Sequence, residues 1–243
     1  MQIYHVDHHG AAQARGVVIV IDVIRAFTVA SYAFAGGAQN LWLVRTIEEA
    51  QALRSHRPDA LLVGEHDGKL IEGFHFNNSP SLMAAGDVRG RLLIQRTGAG
   101  TQGAVKATNA AHLLICALTN ARATAAYARM LAQSTEGLVT LFPTASLEKS
   151  TIPNEDDVCA NYLEALFLKP DEAPDVLAES IAHLHAIERF KWFEPDHPDW
   201  PFADVEAILA TDQFHFAMVG IHKRWNTIHF VDVHKVDVPS SNL

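Results

Sequence analysis

Four short polar segments hold residue types that could grip an anion or a metal ion, and each stands beside an apolar run or at a candidate helix start. The first is Asp22 with Arg25, where Gly16-Val-Val-Ile-Val-Ile-Asp-Val23 is apolar but for one carboxylate. An aspartate buried there is costly unless paired or metal-bound. Asp22 is therefore either a metal-binding or catalytic acid, or half of an internal pair with Arg25. The second is Glu65, after Leu61-Leu-Val-Gly64, which could equally be a loop acid before the Asp67-Gly68 turn. The third is Arg96-Thr97-Gly98-Ala99-Gly100-Thr101. Glycines let backbone N–H groups turn toward an anion, and threonine hydroxyls add donors. A helix opening near Thr101 would add positive potential; the plain alternative is a strand–turn–helix link. The fourth is Glu155-Asp156-Asp157 behind Asn154, which offers hard oxygen ligands suited to Mg²⁺ and equally suits a first helical turn. Asn78, Ser79 and Asn120 are polar candidates for orienting a substrate, although Ser79-Pro80 also fits an N-cap and first helical position.

Charge supports the anion reading of the glycine loop. The chain carries a net charge of -9, yet no acid occurs between Asp87 and Glu136. That stretch holds Arg89, Arg91, Arg96, Lys106, Arg122 and Arg129. Other motifs are weaker. Gly98-Ala-Gly-Thr-Gln-Gly103 matches the dinucleotide pattern G-x-G-x-x-G, but the ribose-binding acid expected about twenty residues on is missing. A nucleotide-dependent oxidoreductase and a non-catalytic anion-binding protein remain the alternatives. Cys116 and Arg122 have the C-x5-R spacing of cysteine phosphatases, but Cys116 sits in an apolar run without glycines and reads as core. Asp7-His8-His9 suggests a metal phosphoesterase without the supporting acids, and the remaining histidines show no metal-ligand spacing.

The acidic balance argues against nucleic acid or an anionic membrane surface as partner. The longest apolar run, Val17 to Ile24, is too short to span a bilayer. The N-terminus lacks a signal-like core, and two cysteines in apolar surroundings suit a reducing compartment, so the expected location is cytoplasmic. Homo-oligomerisation is left open.

The elements that must position these residues follow from periodicity. Apolar runs at Gly16–Val23, Leu41–Val44, Ala60–Val63, Leu92–Gln95, His112–Ala117 and Leu138–Phe142 read as buried strands. Helical patterns alternate with them: Ala26–Ala35, a capping box at Thr46-Ile-Glu-Glu49, and helices opened by Asn120 and Asn154. This alternation predicts an α/β fold with a mainly parallel sheet covered on both faces. Ligands in such sheets bind beyond the carboxyl ends of strands, where the polar segments fall. Residues 170–243 read as a divergent α+β extension of a single 1–243 domain, with a helix near Asp175 to Phe190, an irregular Trp- and Pro-bearing stretch Trp192–Pro201, and two strands, Phe214–Val219 and Thr227–Val233.

The ordered set of segments resembles the 2-phosphosulfolactate phosphatase family, the ComB-like proteins. The resemblance runs from about Val17 to Leu166. It rests on Val20-Ile-Asp-Val-Ile-Arg-Ala26 with Thr28, Gly36-Gly-Ala38, Thr46 to Ala50, Gly64-Glu65, Gly68, Gly73-Phe74 to Asn78-Ser-Pro80, Thr97, Gly100-Thr101, Asn120-Ala121 and Glu155-Asp-Asp157. The chain departs from the family in the glycine loop and at His75, where the family carries Asp. The resemblance implies a three-layer α/β/α sandwich and Mg²⁺-dependent hydrolysis of a small phosphorylated acid, the family substrate being a three-carbon sulfonate phosphate on the route to coenzyme M. The expected roles are metal ligation by carboxylates among Asp22, Glu65, Glu155 and Asp156, with Asp22, Arg25 and Arg96 catalytic. Asn78, Ser79, Thr97, Gly98, Gly100, Thr101 and Asn120 are expected to bind the substrate.

Overall fold

The computed structural model describes residues 1–7, 9–145 and 152–242. His8, the middle of the Asp7-His8-His9 motif, lies outside the described residues. In chain order the elements are β1 (Gln2–His5), β2 (Val17–Ile21), α1 (Ala26–Ala35), β3 (Asn40–Val44), α2 (Ile47–His56), β4 (Leu61–His66), β5 (Lys69–Leu70), α3 (Pro80–Ala85), β6 (Leu92–Arg96), α4 (Gly100–Lys106), β7 (His112–Cys116), α5 (Ala121–Ala132), β8 (Leu138–Pro143), α6 (Glu155–Leu168), α7 (Ala173–Ala186), α8 (Ala203–Leu209), β9 (Phe216–Trp225) and β10 (Ile228–Asp237). The expected α/β fold with a large, mostly parallel sheet between helical layers is present.

The sheet order is β1-β8-β2-β7-β9-β10-β3-β6-β4-β5. β1, β8, β2 and β7 pair in parallel, as do β3, β6 and β4. The last two strands form a hairpin seated between these halves, antiparallel to β7 on one side and to β3 on the other. Following the ladder across the hairpin, the two parallel halves run in opposite directions. Their carboxyl ends nonetheless meet, because the sheet curls. Helix α1 is the reason: eight of its ten residues are buried, as expected of a helix apolar nearly all round. It shares one core with Val18 and Val20 of β2, Leu41 and Leu43 of β3, Leu93 of β6, Ile115 of β7 and Val231 of β10. Helix α4 touches β2 in one half and β3 and β10 in the other. Both halves therefore wrap the same inner helices. The outer face is covered by α5 and α6 over β2, β7 and β8, and by α2 over β4 and β6.

Local signals explain the helix starts. Thr46 and Glu49 form a reciprocal capping box at α2, and Asn154 and Asp157 form another at α6. Asn120, expected to cap α5, turns the other way. Its Oδ1 accepts from the Ala117 N–H at 3.0 Å, and it makes no side-chain cap bond to α5.

Candidate active site at the converging strand ends

Asp22 sits one residue past β2 and is 5 % exposed. Its Oδ1 accepts from the Ala26 N–H at 2.9 Å. Gly100, the first residue of α4, packs directly on it: a Cβ built on Gly100 would lie 2.5 Å from Asp22 Oδ2. Glycine is required here for that close approach. Burial pushes the Asp22 carboxyl up to about 7, against the pull of the Ala26 and Gly100 N–H groups, and the neighbouring Glu155 and Glu65 carboxylates push it further.

The other three carboxylates surround it, each with its own tether. Asp156, buried at the start of α6, accepts from the Val23 N–H at 2.7 Å and the Ala145 N–H at 2.9 Å. Burial and the Asp22 and Glu155 charges hold its carboxyl well above the usual range. Glu155 is gripped by Arg189, whose Nε donates to Oε2 and whose second amino group donates to Oε1 at 2.7 Å. Glu65, at the end of β4, accepts from the Gly98 N–H at 2.7 Å and the Gly68 N–H at 2.8 Å.

Arg25 also lies here, almost wholly buried. It donates to Asp204 Oδ2 at 2.8 Å and to the Asp199 carbonyl at 2.6 Å, and its guanidinium lies 4.0 Å from the Trp200 ring centroid. The pairing of Asp22 with Arg25 considered from sequence is absent from this arrangement: the cation's carboxylate partner is Asp204. Burial lowers the Arg25 pKa, and Asp204 opposes that. Asp204 in turn accepts from the Ser79 hydroxyl at 2.7 Å, the Ser81 hydroxyl at 2.6 Å and the Ser81 N–H at 3.0 Å.

A cavity of about 220 Å³ opens among these groups, lined by Asp22, Arg25, Glu65, Asn78, Thr97 and Gly98 together with Trp200 and neighbouring backbone. The remaining sequence candidates are placed as follows. Thr97 and Thr101 serve the loop itself: each hydroxyl accepts from the other residue's N–H. Arg96 donates to the Glu65 carbonyl at 2.8 Å. Ser79 caps α3 and holds Asp204. Asn120 is buried against Thr124 and Ala117, off the cavity wall. His75 accepts from the Leu62 N–H at 3.0 Å, and burial lowers its pKa, helped by Arg54 and Arg91. It is committed to the backbone of β4.

Three arginines of the acid-free stretch are tied to groups elsewhere in the fold: Arg91 bonds the Asp59 carbonyl, Arg122 pairs with Asp212 and Arg129 bonds the Leu166 carbonyl. Cys116 is buried in the core with Cys159, so the C-x5-R spacing is packing. The G-x-G-x-x-G amides are already spent on carboxylates: Gly98 on Glu65 and Gly100 against Asp22. Asp204, Arg189, Asp199 and Trp200 were not among the sequence candidates. Of these, Asp199 and Trp200 fall in the Trp- and Pro-bearing stretch 192–201 noted from sequence, and Arg189 and Asp204 gave no signal there.

The donor set suits a hard divalent cation in part. Asp22 and Asp156 are carboxylates held above their normal range by burial and by the carboxylates around them. Yet among the described residues no three His, Cys, Asp or Glu side chains close into a metal cage. The carboxylates present are hard oxygen donors, the kind through which Mg²⁺ binds by one or two side chains while water and phosphate complete its shell.

The family model described as 2-phosphosulpholactate phosphatase matches residues 3–191. A "Probable 2-phosphosulfolactate phosphatase" of Bacillus subtilis is 39% identical over 191 residues, covering 78% of this chain and 76% of the relative. One of the same description from Caldicellulosiruptor saccharolyticus is 31% identical over 179 residues, covering 73% of this chain and 72% of the relative. Another, from Deinococcus radiodurans, is 42% identical over 124 residues, about half of each chain at 51% and 52%.

Proposed function

This chain belongs to the 2-phosphosulfolactate phosphatase family, and on that footing we propose that it is a Mg²⁺-assisted phosphoric monoester hydrolase acting in the cytoplasm on a small phosphorylated acid of the 2-phosphosulfolactate kind. One observation carries the reading: Asp22, buried against Gly100 and crowded by Glu65, Glu155 and Asp156, shares its cavity with the buried cation Arg25.

Asp22 and Glu65 line the cavity and are the carboxylates that would hold the ion, with Asp156 behind them. When bound, Mg²⁺ supplies positive charge to phosphate oxygens and makes water more acidic. Arg25 contributes the permanent cation facing the phosphate. Its fixed orientation, enforced by Asp204 and the Asp199 carbonyl, saves reorganisation when charge develops in the transition state. Without an ion Asp22 is held up to about 7 by burial; a bound dication would favour its charged form, so its role is to hold the ion against the ester. Asn78 on the cavity wall supplies a polar contact for the rest of the substrate. Trp200 roofs the cavity and excludes water from the Arg25 side.

The test is inorganic phosphate release from a panel of small phosphorylated acids, 2-phosphosulfolactate among them, with and without Mg²⁺. Release that needs Mg²⁺ and is lost in Asp22→Asn supports the proposal. Release that is unaffected by either change removes Asp22 and the ion from the reaction.

A further inference from the structure

A second hollow, of about 510 Å³, adjoins the phosphate cavity, and Ile24 and Trp200 line both. Its walls are aromatic. Trp192, Phe193 and Trp200 face it, with the Phe193 and Trp200 rings edge to face at 5.2 Å between centroids. All three belong to the segment immediately past residue 191, where the family match stops. The pocket is therefore built largely by residues of this chain that the family pattern does not describe. The same segment reaches the reaction site directly, since Trp200 stacks on Arg25 and the Asp199 carbonyl accepts from it.

The polar lining says what kind of body fits. Arg189 is the one cation among the lining residues, and two of its donor groups are committed to Glu155. Glu194 lines the same hollow, and its charge opposes a second strong anion there. His197 Nδ1 accepts from the Asp199 and Trp200 N–H groups at 3.1 Å each, which leaves Nε2 to carry the proton of the neutral ring. Trp192 stands 64% exposed at the rim. Lys191 Nζ stands 5.2 Å from the Trp192 ring centroid, and this indole, beside a hollow already walled by two rings, offers a flat aromatic ligand a third apolar surface.

We propose that this pocket extends the substrate range of the enzyme to phosphate monoesters of alcohols with a flat, uncharged, aromatic body, the ring lying among Trp192, Phe193 and Trp200 while the phosphate occupies the cavity at Asp22 and Arg25. The inference rests on the phosphatase reading, but its test separates the two. Benzyl phosphate and n-propyl phosphate are both esters of primary alcohols, so the chemistry at phosphorus is matched and the ratio of their kcat/KM values reports the body. In the wild-type protein with Mg²⁺ we expect that ratio to favour the benzyl ester by about tenfold, the scale set by burying part of one ring. Trp192→Ala should bring the ratio near one, and Trp192→Phe should keep part of the preference. A wild-type ratio near one, or a ratio unmoved by Trp192→Ala, overturns the proposal. Calorimetry with the non-hydrolysable benzylphosphonate and n-propylphosphonate gives a readout independent of turnover. A benzyl preference that Trp192→Ala abolishes upholds the pocket even if neither ester is cleaved, in which case only the hydrolase reading fails. Equal binding of the two phosphonates overturns the pocket whatever the turnover.

Discussion

A carboxylate buried beside other carboxylates, with backbone N–H groups as its nearest compensation, costs the folded chain stability, and Asp22 is in that position. Its folded pKa of about 7 lies above that of an unfolded aspartate. Stability associated with the protonated form is therefore complete below about pH 4 and is lost as pH rises toward 7, by an amount on the order of 4 kcal/mol. In the absence of Mg²⁺, melting temperatures measured from pH 5 to pH 8 should fall, and Asp22→Asn should flatten that fall and raise the melting temperature at pH 8. The same substitution should lower kcat/KM by about a hundredfold or more, since it removes a carboxylate that would hold the ion. A variant that is both less stable at pH 8 and fully active would contradict the assignment. Arg25 and Asp204 show the opposite balance. Asp204→Asn leaves the Arg25 cation buried with its carboxylate partner removed, and should cost about 3–5 kcal/mol in a denaturant titration and lower kcat/KM through misplacement of Arg25. The first half of this constellation was readable from sequence, since an acid ending a buried apolar run declares itself. Asp204 was not. It lies 179 residues from Arg25 and 125 from Ser79 along the chain, and in its own segment it looks like any first-turn acid of a short helix.

At the level of elements, the turn between β6 and α4 carries the site because it lets backbone meet a carboxylate. A methyl group on Gly100 would sit 2.5 Å from Asp22 Oδ2 and 2.9 Å from Asp22 Cβ. The Ala26 N–H fixes Asp22 from the other side, so α4 must move instead. Gly100→Ala should therefore lose stability by about 1–3 kcal/mol, the range for forcing a methyl into packed space, and should lose phosphatase activity beyond what the stability change explains. Circular dichroism melting and kcat/KM measured on the same sample check both. Elements with local signals were readable: the capping boxes at α2 and α6 are four-residue patterns that the chain satisfies on its own. The partners of the cations from Arg89 to Arg129 were not readable, because spacing along a chain does not say which carbonyl or carboxylate each guanidinium will meet. Asp59, Asp212 and Leu166, which receive three of them, are all brought in by tertiary packing.

The whole molecule is held together by the pieces that sequence alone set at its margin. The hairpin β9–β10 is the middle of the sheet, pairing with β7 through Leu113–Ile115 and with β3 through Leu41–Leu43. Such pairings join residues more than a hundred positions apart, and no local periodicity encodes them; the sequence shows two apolar strands but not their neighbours, and the turn that joins them sits at Asn226, where φ is 51°. The placement has a consequence for truncation. Ending the chain at residue 191, where the family match ends, removes α8 with Asp204, the Trp200 roof and both central strands. It leaves β7 and β3 with bare edges facing one another across an empty slot, and α1 and α4 with half their enclosure. A dispensable appendage would leave a protein that elutes at its expected size with intact near-ultraviolet circular dichroism. We expect instead a chain that aggregates or shows no cooperative melt, because unpaired inner strands present open hydrogen-bonding edges and the shared core of the two halves loses Phe216, Met218, Val231 and Val233. Those four side chains pack in the same core as α1, around which the two halves curl, so we expect the active site to be lost with the hairpin.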